Sequence, residues 1–255
     1  MDMRRLYWSF RIVVIGAVVL GAMSGSCFAH PAEGVSSGQR DRLKALGAQT
    51  KDRAERVRDE MKRARMDLFQ VYQSYNLDER KAKAAMERVS KAQLNLLNMH
   101  LDDEVALRGV LGESQFSQFA ERMGKRMGEF HPHGDAFGEH PPDADMLRGL
   151  GLSPDQAKRL KKAVGPGREM IQVIEKLRRD SKQLFDLYAQ YNLDTAAAKR
   201  LIAGIHDSQQ QLSDLHHKAE IATRQTLSED QFNQLRDLRA EQMRNRPHKE
   251  HFRRD

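Results

Sequence analysis

The chain has 255 residues, 43 Lys and Arg against 36 Asp and Glu, and a formal charge of +7. Charged residues make up 31% and aromatics 6%, so a helical, strongly solvated protein with a thin core is expected, and a large aromatic-rich domain is excluded. A single Cys excludes a fold held by internal disulfides.

The chain opens with a basic segment containing Arg4, Arg5 and Arg11, followed by an apolar run from Ile12 to Met23. That run is shorter than the ~20 residues needed to span a bilayer. Cys27 and Ala29 then supply small side chains at −3 and −1 of a cleavage site before His30. Residues 1–29 are therefore read as a secretory signal removed after Ala29, with export across the inner membrane and no stable membrane insertion afterwards. Export also argues against a nucleic-acid partner, despite the basic balance.

The rest of the chain repeats. The stretch Leu68-Phe69-Gln70-Val71-Tyr72-Gln73-Ser74-Tyr75-Asn76-Leu77-Asp78 returns 116 residues later as Leu184 to Asp194, and the alignment runs without a gap to Phe119 and Leu235. Of 52 aligned positions, 20 are identical, which reads as a tandem duplication. Residues 30–128 form the first module, 129–145 a linker, 146–245 the second module and 246–255 a basic tail expected to be disordered.

In the first module Gln39 to Leu46 predicts a short helix ending at Gly47. From Lys51 onward Ala54, Val57, Met61, Ala64, Leu68, Tyr72 and Tyr75 recur at helical steps. Asn76-Leu77 breaks that helix, and Asp78 caps a second whose stripe includes Ala82, Ala85, Met86, Val89, Leu96 and Met99. Gln115 sits three residues after Gly112, which stands at a cap position before a last helix.

The linker holds His131, His133 and His140 among Pro, Gly and acidic residues. With no Cys and loose spacing, it reads first as a polar linker and second as a site for Zn²⁺ or Cu²⁺.

In the second module Ser153 and Gln156 form a capping box with Pro154 at the first helical position, and Gly165-Pro166-Gly167 ends that helix. Met170 to Tyr191 carries the next stripe, and Ala198, Leu201, Ile202, Ile205, Leu212 and Leu215 the long-helix stripe. Ser228 and Gln231 form a second box.

The Leu-Ser-Pro-Asp-Gln and Leu-Ser-Glu-Asp-Gln boxes resemble the Leu-Thr-x-x-Gln motif of the Spy/CpxP family of periplasmic proteins, with one motif before the first helix and one before the last. The resemblance covers residues 152–240. It implies four-helix, cradle-like modules, here fused into an internal pseudo-dimer, and an ATP-independent chaperone or envelope-stress regulator. The first module departs from the family: its opening motif is read as absent, with Arg42-Leu43-Lys44 the only echo of Arg159-Leu160-Lys161.

No nucleophile-base set, phosphate loop or metalloprotease motif is present, so no enzyme is expected and no cofactor is required. One polar set repeats, His100-Glu104-Arg108 and His216-Glu220-Arg224, each member one helical turn from the next. By helical angle His100 lies on the apolar stripe, Glu104 at its edge and Arg108 outside it. The set reads as a partly buried His steadied by a carboxylate, and alternatively His216 with Glu220 as metal ligands or a pH sensor. Met86, Met99, Ile202 and Leu215, at matched positions of the long helices, are expected on an adaptable, semi-exposed apolar surface. The expected fold is all-α, two helical-hairpin modules. The expected function is chaperone-like binding of unfolded envelope proteins, the alternative a metal or stress sensor acting on the periplasmic domain of a sensor kinase or binding Zn or Cu.

Overall fold

A computed structural model describes residues 34–128, 149–165 and 167–245, all helical or in short connections. The signal, the linker histidines His131, His133 and His140, and the basic tail lie outside the described residues. No helix among the described residues is long and apolar enough to cross a membrane.

The first half contains α1 (Ser37–Tyr72), α2 (Glu79–Val110) and α3 (Glu113–Gly128). The second contains α4 (Pro154–Val164), α5 (Arg168–Tyr188), α6 (Thr195–Thr226) and α7 (Glu229–Asn245). The expected short helix at 39–46 does not end at Gly47, since α1 runs straight through it. One interior Gly costs only ~1 kcal/mol, and the buried Leu43 and Thr50 hold the helix down on either side. In the second half the corresponding region is divided between α4 and α5 at Gly165-Pro166-Gly167. Proline has no amide N–H to give and its ring crowds the preceding turn, so that break is local chemistry.

Both corners form as their sequences require. α1 stops at Tyr72 and α5 at Tyr188. Asp78 then accepts from the Lys81 amide, and Asp194 from the Ala197 amide, to start α2 and α6. Each hairpin packs on itself, α1 on α2 and α5 on α6, and α2 also crosses α6. At the crossing Ser90 meets His206, its own counterpart in the repeat, at 2.7 Å. The two long helices thus meet at positions 116 residues apart in the chain.

The opening motif of the first half is present, contrary to expectation. Gly34-Val35-Ser36-Ser37-Gly38-Gln39 stands opposite Gly151-Leu152-Ser153-Pro154-Asp155-Gln156. Gly34 (φ 85°) and Gly151 (φ 58°) both take the left-handed turn that glycine tolerates. Ser36 and Gln39 close a complete capping box, as Ser153 and Gln156 do. The motif escapes a gapless comparison because its register is displaced by one residue from that of the hairpins and Val replaces Leu.

The boxes also clasp one another. The Gln39 side-chain amide donates to the Val110 carbonyl and to Gln115 Oε1, both at 2.9 Å. Gln115 donates to the Gly34 carbonyl at 2.8 Å, while its own Oε1 accepts from the Gly112 amide. In the second half Gln156 donates to the Thr226 carbonyl at 2.9 Å and to Gln231 Oε1 at 3.0 Å. Ser228 and Gln231 complete their own box. Each glutamine therefore serves a cap and ties two helix starts together. Gln156→Ala is expected to cost about 1–2 kcal/mol, through a lost cap and unpaired partners, as measured by urea unfolding.

The core is unequal between the halves. α1 and α2 meet through small residues, with Ala64, Ala82 and Ala85 around Leu68, Tyr72, Met86 and Val89. In the second half Val173, Leu177 and Leu184 pack on Ile202, Ile205 and Leu212, joined by Leu97 and Leu101 from α2. The expected semi-exposed apolar surface is therefore corrected. Met86, Met99 and Ile202 are buried, and only Leu215 is half-buried. Helix α2 buries one face on α1 and another on the second half, which a single amphipathic stripe does not anticipate. Among described residues the exposed large hydrophobics are Val105, Ile171 and Phe185.

Candidate functional site

The repeated His-Glu-Arg sets lie where the halves meet. Each corner leaves the last carbonyls of its helix without intrahelical partners. Each is met by a guanidinium of the opposite half, whose five N–H donors suit several carbonyls at once.

At one end Arg224 reaches the corner of the first half. It donates to the Tyr72 carbonyl at 2.6 Å and the Ser74 carbonyl at 3.1 Å. It also donates to the Glu220 carboxylate at 2.6 Å and lies over the Phe232 ring, 4.5 Å from its centroid. The Tyr75 hydroxyl donates to the Leu227 carbonyl at 3.0 Å, and its ring packs against Phe232.

The other end repeats this with the halves exchanged. Arg108 donates to the Tyr188 carbonyl at 2.7 Å, to the Gln190 carbonyl at 2.8 Å and to the Tyr191 carbonyl at 3.1 Å. It pairs with Glu104 at 2.6 Å and stacks on Phe116, against which Tyr191 packs. A cation at a helix C-terminus also meets the negative end of the helix dipole.

Arg108 is consequently not outside the buried surface, as its helical angle suggests. Its side chain retains only 9% exposure because the opposite half covers it. A local signal existed: an Arg repeated one turn beyond a buried Glu, in a chain with two broken helix ends to satisfy.

The two ends differ in detail. Tyr72 Oη lies 2.9 Å from His217 Nδ1, with both side chains buried. The counterpart of His217 is Leu101. Tyr188, the counterpart of Tyr72, has a buried hydroxyl with no hydrogen-bond partner among the described residues. Burial raises the pKa of both phenols. Burial also raises that of Glu104, against the pull of Arg108. Glu220 moves the other way. Burial pushes it up, but Arg239, His216 and Arg224 together hold it below the ordinary carboxylate value. Arg239 lies 3.4 Å from Glu220, and the residue at its place in the first half is Met123. Burial lowers the pKa of His217.

The expectation that His216 and Glu220 bind metal is corrected by this geometry. The Glu220 carboxylate is held by two guanidinium groups, and a bound cation would have to displace them. Among the described residues no group of three or more His, Cys, Asp or Glu is placed to hold a metal ion. The capping residues Ser153, Gln156, Ser228, Gln231 and Gln115 all make the bonds expected of them.

The fold and site thus define an all-α protein of two reciprocally docked helical hairpins, whose repeated polar residues lock the hairpins together. Residues 122–234 match the family model described as heavy-metal resistance. The match runs from α3, across the segment that carries the linker histidines, to α7. Comparisons with curated proteins and with solved structures found no match.

Proposed function

We propose that the protein acts in periplasmic metal and envelope stress as a helical binding protein, holding unfolded envelope proteins without ATP or catalysis. The observation that supports this reading most is the match of residues 122–234 to a heavy-metal resistance family. The Leu-Ser-x-x-Gln boxes, with their resemblance to periplasmic chaperones and stress regulators, point the same way. With Met86, Met99 and Ile202 in the core, the client surface is assigned to the outer side of α5. Ile171 and Phe185 are exposed there about four helical turns apart, hence on one face. Arg178 and Lys182 stand between them on that helix. Isolated large hydrophobics set among charges suit weak, reversible binding of varied sequences.

A second reading, a metal-responsive regulator of a sensor kinase, is favoured by the position of His131, His133 and His140 inside the matched region. One set of experiments separates the two. Purified protein from residue 30 onward is expected to suppress aggregation of a heat-unfolded test protein, and Ile171→Ser with Phe185→Ser to weaken that suppression without moving Tm. Replacing the three linker histidines by Ala is expected to abolish Zn²⁺ or Cu²⁺ binding in calorimetry and leave helicity and melting unchanged. Metal binding without any suppression would favour the regulator and defeat the chaperone reading.

A further inference from the structure

The end of the molecule built on His217 carries a device that the other end lacks. His217 projects from α6 onto Tyr72, the last residue of α1, and is 7% exposed. Its Nδ1 is 2.9 Å from Tyr72 Oη, which also lies 3.5 Å from Met86 Sδ. Its Nε2 is buried and has no hydrogen-bond partner among the described residues. A neutral imidazole tolerates this. Either Tyr72 donates to Nδ1, or Nδ1–H donates to Tyr72 and the phenol turns toward Met86.

Protonation changes the count. Both ring nitrogens then carry hydrogen, and Tyr72 can accept only the one on Nδ1. The other N–H would remain buried without an acceptor, on a ring that now bears a full charge. The surrounding charges do not repair this. Glu79 and Lys83 from α2 oppose each other, as do Asp214 and His216 on α6. Glu220 is occupied by Arg224 and by Arg239 from α7. The same α1 corner is also held by Arg224 and Tyr75, and the His216 ring meets the Tyr72 ring edge-on at 5.8 Å.

We propose that His217 is a pH-operated latch, which holds the corner of the first hairpin onto the base of the second only while its ring is neutral. Acidification loosens that corner alone, because Leu101 occupies the equivalent place at the opposite end. The sign follows from the lowered pKa of the packed ring. Stability from the contact is complete above the unfolded His value and is lost as pH falls below it toward the folded one. An opened ring with the ordinary pKa of about 6.5 takes up a proton between pH 7.5 and 5.5, so opening rises by up to about tenfold.

The test is hydrogen exchange by mass spectrometry on the full mature chain at both pH values, corrected for intrinsic exchange rates. Amides at 72–77 are expected to lose protection by several-fold up to that limit at pH 5.5, with those at 188–193 unchanged. His217→Leu, which copies the opposite end, should remove the difference. If that variant does not fold, His217→Gln serves the same purpose. His206→Gln and His216→Gln should retain it. Equal loss at both corners, no loss at 72–77, or a pH response that survives replacement of His217 would each overturn the latch. So would its disappearance in either of the two control variants.

Discussion

Replacing Arg108 by Ala is expected to lower the unfolding free energy by about 3–5 kcal/mol at neutral pH, the range seen when one partner of a buried ion pair is removed. Two losses combine. Glu104, buried beside it, loses the guanidinium 2.6 Å away and must either carry an unpaired charge or take up a proton. The carbonyls of Tyr188, Gln190 and Tyr191 lose their donor as well. Arg224→Ala should cost less through its carboxylate, because Arg239 remains near Glu220.

Both deficits should also depend on pH. Glu104 already has a raised pKa from burial, and loss of Arg108 raises it further. A group raised in the folded state contributes stability below its unfolded pKa and loses that contribution as pH rises through its folded value. The Arg108→Ala deficit should therefore shrink as pH falls into the carboxylate range. Glu220 has a lowered pKa, so its contribution is present above the unfolded value and is lost as pH falls. Urea titrations of both variants at pH 7 and near pH 4 would check this, and equal deficits at both pH values would contradict it.

Ile202→Ala is expected to cost about 2–5 kcal/mol, with an unchanged slope of unfolding free energy against urea. Ile202 is 2% exposed and sits among Leu177, Ala198 and Ile205. Leu215, farther along the same helix, is half-buried, and Leu215→Ala should cost clearly less. A cost below 1 kcal/mol for Ile202 would return this helix face to the candidates for client binding.

The repeat, the all-helical class, both corners and the later capping boxes were legible because each is written in short-range chemistry. Asp78 and Asp194 cap because their carboxylates reach amides three residues on. Ser153 with Gln156, and Ser228 with Gln231, close boxes within one turn. The box at Ser36 and Gln39 was equally local, but a one-residue change of register hid its kinship. The continuity of α1 was harder to read. One Gly in a helix is a small penalty, and burial on either side outweighs it.

What the sequence by itself determined is where the helices after α1 start and stop, since caps and breaks depend on neighbours within a turn. Which surfaces are inside was decided only by the tertiary structure. Met86, Met99 and Ile202 look suited to an exposed stripe when each hairpin is considered alone. Arg108 looks solvated for the same reason. Docking the halves covers a second face of the long helices and brings Arg108 and Arg224 onto carbonyls about 80 and 150 residues away in sequence. Neither helical periodicity nor composition reports such a contact, because both describe one element at a time. The difference between His217 and Leu101 was visible as two letters, but it acquired meaning only when Tyr72 was placed 2.9 Å from one of them.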